Sequence, residues 1–340
     1  MADSGYLRWR SEHGNLCVVT YHGVLPAAYE TIDAEQDGAL VTANTFRRQL
    51  RLLKSRYLVV SPEHVLNWAC EGKELPRRSV LLTCDDGLLN TLTEMAPILK
   101  EEGLSCLFFV LGASTSQDAR TLWYEDLYLL LLAAPSGTFS LDRKESSLPL
   151  SGRASRRSAW WKLVQRWSQY DQSERPMLMD AARIQLGLSD GWNVEHMKSD
   201  AQRRRFSLLN LCELRQLAGM GMCVGSHTLS HPVLSQQPPE LAWKEISESR
   251  SLLEMAVGKP VWALAYPYGD PASVTAREWE MAERAGFQCA FMNVAGGFGA
   301  PLPRFALPRV HVTAEMSLPE FEAHVSGFHG ALQGRLSRQA

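Results

Sequence analysis

The sequence contains no long hydrophobic run. The longest apolar stretch beside a predicted helix, LYLLLLAA at 127–134, has only eight residues, whereas a helix that crosses a bilayer needs about 20. Residues 1–15 are polar and contain no apolar core of a secretion signal. We therefore expect a soluble protein that stays in the cytoplasm.

The sequence also lacks paired cysteines and a marked excess of charge. Its seven cysteines are scattered and none forms a CxxC pair, which is typical of reduced thiols rather than of a disulfide framework. The formal net charge is -2, so no overall attraction to nucleic acid is expected. Two basic runs, RASRRS at 153–158 and AQRRRF at 201–206, are typical of solvated surfaces.

Short apolar runs bounded by Gly, Pro or polar residues recur along the chain and predict buried strands. They lie at 16–22, 79–84, 106–112, 222–227, 261–267, 288–294 and 304–312. Helical patterns at 91–103, 211–221 and 240–258 lie between some of them. This alternation predicts a parallel α/β fold, either a barrel or a doubly wound sheet.

The alternation stops between about 113 and 206, where helical patterns occur and no strand pattern is present. We interpret this segment as a mainly helical insertion into a domain that spans residues 16–325. Residues 1–15 and 326–340 are then terminal extensions. The 340 residues, 45% of them hydrophobic, would also suffice for two modest domains.

Two adjacent aspartates, Asp85 and Asp86, follow the predicted strand at 79–84. Neighbouring carboxylates repel one another, so their proximity needs a reason. One interpretation is a helix N-cap, a role that Asp fills well. The other is a metal site in which Asp86 binds the cation and Asp85 faces the attacking water, because successive strand side chains diverge.

Other polar residues also follow predicted strands. His227 and His231 are four residues apart in HTLSH, Tyr268 lies in a Pro-Tyr-Gly turn, and His22 ends the first strand. Catalytic groups of parallel α/β folds gather at the carboxyl ends of the strands. One carboxylate with two imidazoles forms a facial triad that leaves metal positions open for water and substrate.

In their order along the chain, TCDD (83–86), HTLSH (227–231) and YPYG (266–269) resemble the polysaccharide deacetylases of the NodB homology type. The resemblance covers about 16–112 and 206–312. It implies a deformed (β/α) barrel in which Asp86, His227 and His231 bind a metal. It also implies that Asp85 is the general base and that the N–H of Tyr268 helps to hold the oxyanion.

The chain departs from the family pattern at several positions. Cys84 replaces a phenylalanine, and Ala265 stands where many members have an arginine that orients the base. Arg309 on the last strand is a candidate substitute. TYHGV at 20–24 is similar to deacetylases of poly-N-acetylglucosamine, which implies His22 as the general acid, with His311 as the alternative.

The resemblance implies a metal-dependent hydrolase that removes N-acetyl groups from an amino sugar in a polysaccharide, oligosaccharide or lipid- or nucleotide-linked glycan precursor. The expected cofactor is a divalent metal, Zn²⁺ first, with Co²⁺, Ni²⁺ or Fe²⁺ as alternatives. Two other functions stay open: hydrolysis of another carbon–nitrogen amide, and glycan binding by a catalytically degenerate member.

The aromatic residues of the insertion have two interpretations. They either stack on sugar rings or pack the insertion helices together. The residues concerned are Trp123, Tyr124, Trp160, Trp161 and Trp167. A third interpretation is a peripheral contact with a membrane through the basic, Trp-rich segment at 156–167, as basic amphipathic helices make.

Overall fold

The computed structural model of the chain describes residues 16–117, 121–140, 147–192 and 198–328. The predicted terminal extension 1–15, and the part of 326–340 that begins at 329, lie outside the described residues.

Ten strands are present among the described residues. They are β1 (Leu16–Tyr21), β2 (Leu58–Val60), β3 (Ser79–Cys84), β4 (Leu107–Val110), β5 (Thr138–Phe139), β6 (Leu148–Pro149), β7 (Cys223–Ser226), β8 (Ala263–Ala265), β9 (Cys289–Ala295) and β10 (Leu307–His311). Seven of them form a closed parallel barrel in the order β1-β10-β9-β8-β7-β4-β3, which returns to β1. The predicted α/β barrel is confirmed, and the doubly wound sheet is not observed.

The barrel is irregular beside β3. Strand β2 pairs with β3 from Ser79 to Leu81, whereas β4 pairs with β3 at Thr83 and Cys84. The pairing of β1 with β3 runs over the full strand and sets Tyr21 opposite Cys84. Residues that follow these two strands therefore start from the same level of the barrel.

The strands are buried on both faces, which explains their continuous apolar sequences. Alternate residues face opposite sides: Leu16 and Val18 belong to the barrel interior, whereas Cys17 and Val19 pack beneath the helices. Inside the barrel the rings of Phe109 and Phe291 lie 5.2 Å apart. Each such buried side chain contributes about 1.5–3 kcal/mol to stability.

Eleven α-helices surround the barrel or lie in the insertion, among the described residues. They are α1 (Ala43–Arg56), α2 (Pro62–Glu71), α3 (Ala96–Glu101), α4 (Trp123–Ala133), α5 (Arg153–Trp167), α6 (Arg175–Gln185), α7 (Asp200–Phe206), α8 (Leu211–Gly219), α9 (Pro239–Val257), α10 (Ala276–Arg284) and α11 (Leu318–Val325). Helix α9 ends at the left-handed Gly258 (φ 66°), as its glycine predicts. A short π-helix, Thr91–Met95, precedes α3.

The segment between β4 and α8 contains helices α4 to α7, so it is mainly helical as predicted. One detail differs: β5 and β6 pair as a small antiparallel hairpin, although no strand pattern is visible there. The hydrophobic core of the inserted segment is separate from the barrel core and includes Leu127, Leu163 and Trp167. Among the described residues, no helix is both long enough and apolar enough to traverse a lipid bilayer.

Candidate metal centre

The two aspartates and the two histidines of the motifs meet at the carboxyl ends of β3 and β7. Asp86, His227 and His231 are all buried, at 2–4% exposure. One carboxylate oxygen of Asp86 lies 3.4 Å from Nε2 of His227 and 3.4 Å from Nε2 of His231. The three potential ligand atoms all lie within 4.8 Å of one another. A single cation can therefore reach all three.

The donor set fits a divalent metal. Nδ1 of His227 lies 2.7 Å from the carbonyl oxygen of Ala265, a partner that holds the Nδ1–H tautomer and leaves Nε2 free to bind a cation. Oδ1 of Asp86, although buried, has no hydrogen-bond partner among the described residues. A buried carboxylate oxygen without a donor is costly, and a cation at this point satisfies it. One carboxylate with two imidazoles suits Zn²⁺, Ni²⁺, Co²⁺ or Fe²⁺.

The charges of the trio also favour a bound cation. Burial raises the pKa of the Asp86 carboxyl, but its interactions with His227 and His231 outweigh burial and hold that pKa well below its ordinary value. Burial lowers the pKa of His231. Burial acts on His227 in the same way, but Asp86 and Asp85 raise the His227 pKa above its ordinary value. Asp86 is therefore anionic, and a proton and a metal cation would compete for the same carboxylate.

The backbone around the trio adopts an uncommon conformation. Asp86 (φ 74°), Thr228 (φ 68°), His231 (φ 58°) and Tyr268 (φ 59°) are all left-handed. Left-handed non-glycine residues cost about 1–3 kcal/mol each and cluster at functional sites. This backbone arrangement therefore lowers the stability of the fold.

Glu245 on α9 stabilises the strained HTLSH loop through hydrogen bonds to its backbone and side chain. Its carboxylate accepts hydrogen bonds from the N–H groups of Leu229 (2.9 Å) and Ser230 (2.9 Å) and from the Ser230 hydroxyl (2.5 Å). Arg175 of the insertion donates to the Ser230 carbonyl (3.1 Å) and hydroxyl (2.7 Å). The sequence gives no signal for either partner, because both contacts join separate helices to the loop.

Asp85 lies beside the trio but binds a different partner. The Arg309 guanidinium donates two hydrogen bonds of 2.7 Å, one to each oxygen of the Asp85 carboxylate, and a third of 3.1 Å to the Thr20 hydroxyl. Burial raises the Asp85 pKa, but Arg309 and His227 outweigh burial, so the pKa stays below its ordinary value. Asp85 is therefore an ionised carboxylate at neutral pH.

The two candidate acids, His22 and His311, lie side by side. Their rings are 4.8 Å apart, since His22 directly follows β1 and His311 is the last residue of the paired strand β10. Nδ1 of His22 and Nε2 of His311 are buried without a hydrogen-bond partner among the described residues. Burial, together with the nearby His22 and Arg309, lowers the pKa of His311 to about 3. His311 is therefore neutral at neutral pH.

Tyr268 lies in a tight turn that follows β8. Gly269 continues the turn with φ 67°, and a Cβ there would lie 2.6 Å from the backbone nitrogen of Asn293, so only glycine fits. The Tyr268 ring packs 4.8 Å from the His231 ring. Among the described residues, no acceptor for the Tyr268 N–H is present.

Comparison with known proteins agrees with this geometry. The family described as polysaccharide deacetylase matches residues 192–290. The Bacillus subtilis protein YxkH, provisionally named a polysaccharide deacetylase, is 26% identical over 113 residues, which is 33% of this chain and 39% of YxkH. The match thus spans about two-fifths of that relative's own length. Over these residues the chain is similar in sequence to the polysaccharide deacetylases.

Solved structures extend the likeness to the whole fold. A Streptococcus pyogenes deacetylase, PplD, in complex with acetate, aligns with a TM-score of 0.56 at 17% identity over 91% of this chain and 97% of its own. IcaB from Ammonifex degensii aligns with a TM-score of 0.56 at 18% identity over 92% of this chain and 97% of its own. At these identities the likeness shows the deacetylase fold alone.

The insertion adds aromatic side chains to this deacetylase fold directly above the trio. The Tyr124 ring lies 4.6 Å from the His231 ring, and its hydroxyl is 3.5 Å from Oδ2 of Asp86. Trp123 donates a 3.1 Å hydrogen bond to the His231 carbonyl, and Trp161 packs 5.3 Å from Tyr268. The sequence assigns these residues to the insertion but gives no sign that they contact the candidate ligands.

The aromatic residues of the insertion therefore have different environments. Trp167 is fully buried and packs the helices, as one of the two interpretations predicts. Trp160 and Trp161 are only half-buried. Trp160 donates a 2.7 Å hydrogen bond to the carbonyl of Tyr124, which fixes α5 against α4.

Proposed function

We propose that this chain is a metal-dependent hydrolase that removes N-acetyl groups from an amino sugar in a polysaccharide, oligosaccharide or lipid- or nucleotide-linked glycan precursor. The observation that supports the proposal is that two features lie side by side on a deacetylase fold. A carboxylate held by Arg309 lies next to a buried Asp–His–His trio. Metal-assisted amide hydrolysis uses a base to deprotonate water and a Lewis acid to polarise the carbonyl.

Asp86, His227 and His231 would hold the metal. Zn²⁺ suits the set best because tetrahedral sites with imidazole and carboxylate ligands are typical of zinc hydrolases. Co²⁺, Ni²⁺ or Fe²⁺ are the alternatives. When bound, such a cation polarises the amide carbonyl and lowers the pKa of water.

Asp85 is the general base of the proposal. It is ionised, and Arg309 fixes the plane of its carboxylate through two bonds. Asp85 takes a proton from the attacking water as the oxygen bonds to the amide carbon. The Tyr268 N–H, which has no other acceptor among the described residues, donates to the oxyanion that forms.

His22 is the general acid of the proposal. The tetrahedral intermediate collapses when the carbon–nitrogen bond breaks, and the departing amine needs a proton. The low pKa of His311, about 3, leaves it neutral at neutral pH, and a neutral imidazole is a poor proton donor to an amine. We therefore assign the transfer to His22, whose ring adjoins it.

Two other functions compete with this one on the same fold. The first is hydrolysis of another non-peptide carbon–nitrogen amide, which would use the same base and metal. The second is glycan binding without turnover by a degenerate member, suggested by Ala265 in place of the usual arginine. Arg309 argues against degeneracy, since it supplies the charge at the base from another strand.

The membrane contact has weaker support. In α5, Ala159, Leu163, Val164 and Trp167 are buried within the insertion, so these apolar side chains are not available to enter a lipid surface. If the contact exists, activity on a lipid-linked substrate should depend on α5, whereas activity on a free sugar should not.

The decisive experiment measures acetate released from a panel of N-acetylated mono- and oligosaccharides, with and without a chelator. Elemental analysis of the same protein identifies the metal. Acetate release that a chelator abolishes and metal restores supports the proposal. Release from small cyclic or linear amides alone favours the second enzyme function. Retained metal without hydrolysis of any amide favours the degenerate member.

A further inference from the structure

The helical insertion contacts the HTLSH loop at the two peptide groups that flank His231. Arg175, the first residue of α6, donates a 3.1 Å hydrogen bond to the Ser230 carbonyl and one of 2.7 Å to the Ser230 hydroxyl. Trp123, the first residue of α4, donates a 3.1 Å hydrogen bond to the His231 carbonyl. Among the described residues, neither carbonyl has another donor.

These two contacts restrict the backbone conformation of His231. Each peptide group is planar, so the direction of a side chain follows from φ and ψ, the rotations relative to the peptide planes on either side. The Ser230 carbonyl lies in the plane before His231, and the His231 carbonyl lies in the plane after it. The second plane contains no N–H, because Pro232 follows. A donor to each carbonyl therefore restrains both angles.

His231 needs this restraint because its backbone is strained. Its φ is 58°, a left-handed value that residues other than glycine adopt only when surrounding contacts hold them. Histidines that bind metals almost always donate their second ring nitrogen to an acceptor, but Nδ1 of His231 is buried without a partner among the described residues. The orientation of the ring therefore depends on the backbone and on the packing of neighbouring rings.

The other histidine of the trio is held by the barrel instead. The N–H of His227 donates a 2.9 Å hydrogen bond to the carbonyl of Val110 on β4. Nδ1 of His227 lies 2.7 Å from the carbonyl of Ala265 on β8. Both partners belong to strands of the closed sheet. His231 is thus the histidine whose position depends on the insertion.

Arg175 is itself held firmly within the insertion. It is only 4% exposed, and it donates further hydrogen bonds to the carbonyls of Tyr170 (3.1 Å) and Trp167 (3.3 Å). Its guanidinium carbon lies 4.9 Å from the centre of the Trp123 ring, so a cation–π contact joins the two donors to each other. A shift of α4 or α6 would therefore be transmitted to the loop.

We propose that Arg175 and Trp123 are positioning residues for the metal ligand His231, and that the docked insertion thereby sets the metal affinity of the trio. Both act through the backbone of His231 and neither binds the metal. This inference rests on the proposed function, because it takes Asp86, His227 and His231 as the metal ligands. Removal of either contact should weaken metal binding although all three ligands remain.

The test measures metal binding by the full chain after a chelator has removed its metal. Competition with a chromogenic chelator gives the Zn²⁺ dissociation constant, and the visible absorption of the Co²⁺-loaded chain reports the coordination geometry. Trp123→Phe removes the indole N–H but keeps an aromatic ring, whereas Arg175→Lys keeps the charge but loses the planar fork of donors. Arg183→Lys is the matched control on the same helix, since Arg183 donates to Asp180 (2.8 Å) and to the Leu188 carbonyl (2.8 Å) within the insertion.

Trp123→Phe and Arg175→Lys should each bind Zn²⁺ about 10- to 100-fold more weakly than the wild-type chain, the usual cost of removing a residue that orients a metal ligand. The control should bind Zn²⁺ as the wild type does. The Co²⁺ absorption bands of the two variants should change in position or intensity, which a loss of overall stability alone would not produce. Circular dichroism of the metal-free chains checks that they are folded. Trp123→Phe loses a single hydrogen bond, so it provides the test even if Arg175→Lys does not fold.

Two results would overturn the inference: Zn²⁺ affinity and Co²⁺ spectra that match the wild type in the folded variants, or an equal loss of affinity in the control. Acetate release by the metal-loaded wild-type chain separates the inference from the proposed function. Weaker Zn²⁺ binding in the variants, without any acetate release by the wild type, refutes the deacetylase proposal but keeps the positioning role. Acetate release with unaltered Zn²⁺ binding in the variants does the reverse. A wild-type chain that binds neither metal refutes both.

Discussion

Arg309 and Asp85 form a two-bond ion pair, with both distances at 2.7 Å, between the last strand of the barrel and the end of β3. Both side chains are buried, at 1% and 3% exposure. A buried bidentate pair fixes the orientation of the carboxylate and keeps that carboxylate ionised. Arg309 is thus placed to orient the carboxylate that we propose as the base, although Ala265 occupies the position where the family resemblance implies an arginine.

The first prediction concerns Asp85→Asn. We expect turnover to fall by about 10²–10⁴, the usual contribution of a general base. Metal content should stay at the wild-type level, because Asp85 is not part of the trio. Elemental analysis beside acetate-release kinetics checks both statements. Loss of the metal in this variant would contradict the separate roles of Asp85 and Asp86.

The second prediction concerns Arg309→Lys. Lysine keeps the charge but loses the two-bond geometry, so the Asp85 pKa should rise. The base form then needs a higher pH, and the acidic limb of the kcat/KM profile should move upward. Arg309→Met should also destabilise the fold by about 3–5 kcal/mol, because it leaves a buried carboxylate unpaired. An acidic limb that does not move in Arg309→Lys would exclude Asp85 as the titrating base.

The third prediction separates the metal ligands from their neighbours. Asp86→Asn, His227→Gln and His231→Gln should each reduce metal content and activity together, since each removes one of three ligand atoms. Glu245→Gln is the informative comparison. It weakens the support of the HTLSH loop (2.9 Å to the Ser230 N–H) without removing a ligand, so metal affinity should fall about 10- to 100-fold rather than vanish. Full metal occupancy in all three ligand variants would refute the site.

The sequence allowed the barrel and its rim to be predicted for a physical reason. Parallel strands buried on both faces are continuous apolar runs, so β1, β3 and β7 are visible without any structure. Because their carboxyl ends share one rim, the proximity of Asp86 to His227 follows from topology. The short β2, by contrast, is half-exposed and has only three residues, too few for a periodic signal.

The contacts made by the insertion could not be predicted in the same way. Periodicity indicates which face of a helix is apolar, but it does not identify the partner of that face. Tyr124 is 38 residues from Asp86 in the chain, and only the docking of α4 on the barrel brings the two together. The same limit explains why Trp167 and Trp160, on one helix, turned out to have different environments.

The fourth prediction compares the two neighbouring histidines. His22→Ala should slow turnover by about 10²–10⁴ with little change in metal content. His311→Ala should have a smaller effect, because a histidine with a pKa of about 3 is neutral at neutral pH and is a poor general acid. Rate profiles against pH for both variants provide the measurement. A larger loss in His311→Ala than in His22→Ala would reverse the assignment of the acid.

The fifth prediction concerns folding stability and Asp126, a residue of α4 whose carboxylate accepts a hydrogen bond from Thr121. Burial, with a smaller contribution from the nearby Glu125, raises the Asp126 pKa from 3.8 to about 7. Between these values the folded chain binds a proton that the unfolded chain has released. The free energy of unfolding should therefore fall as the pH rises from about 4 to about 7, and change little through this group above that.

Asp126→Asn removes the ionisation but keeps the shape of the side chain, so its stability should lose this part of the pH dependence. At pH 8 the variant should unfold at a higher temperature than the wild-type chain, because it no longer holds a negative charge on a partly buried side chain. Thermal unfolding at pH 5 and pH 8 gives the comparison, with Asp180→Asn as the control, since Asp180 is exposed. Parallel pH curves for wild-type and Asp126→Asn would show that this carboxyl does not titrate differently in the folded and unfolded chains.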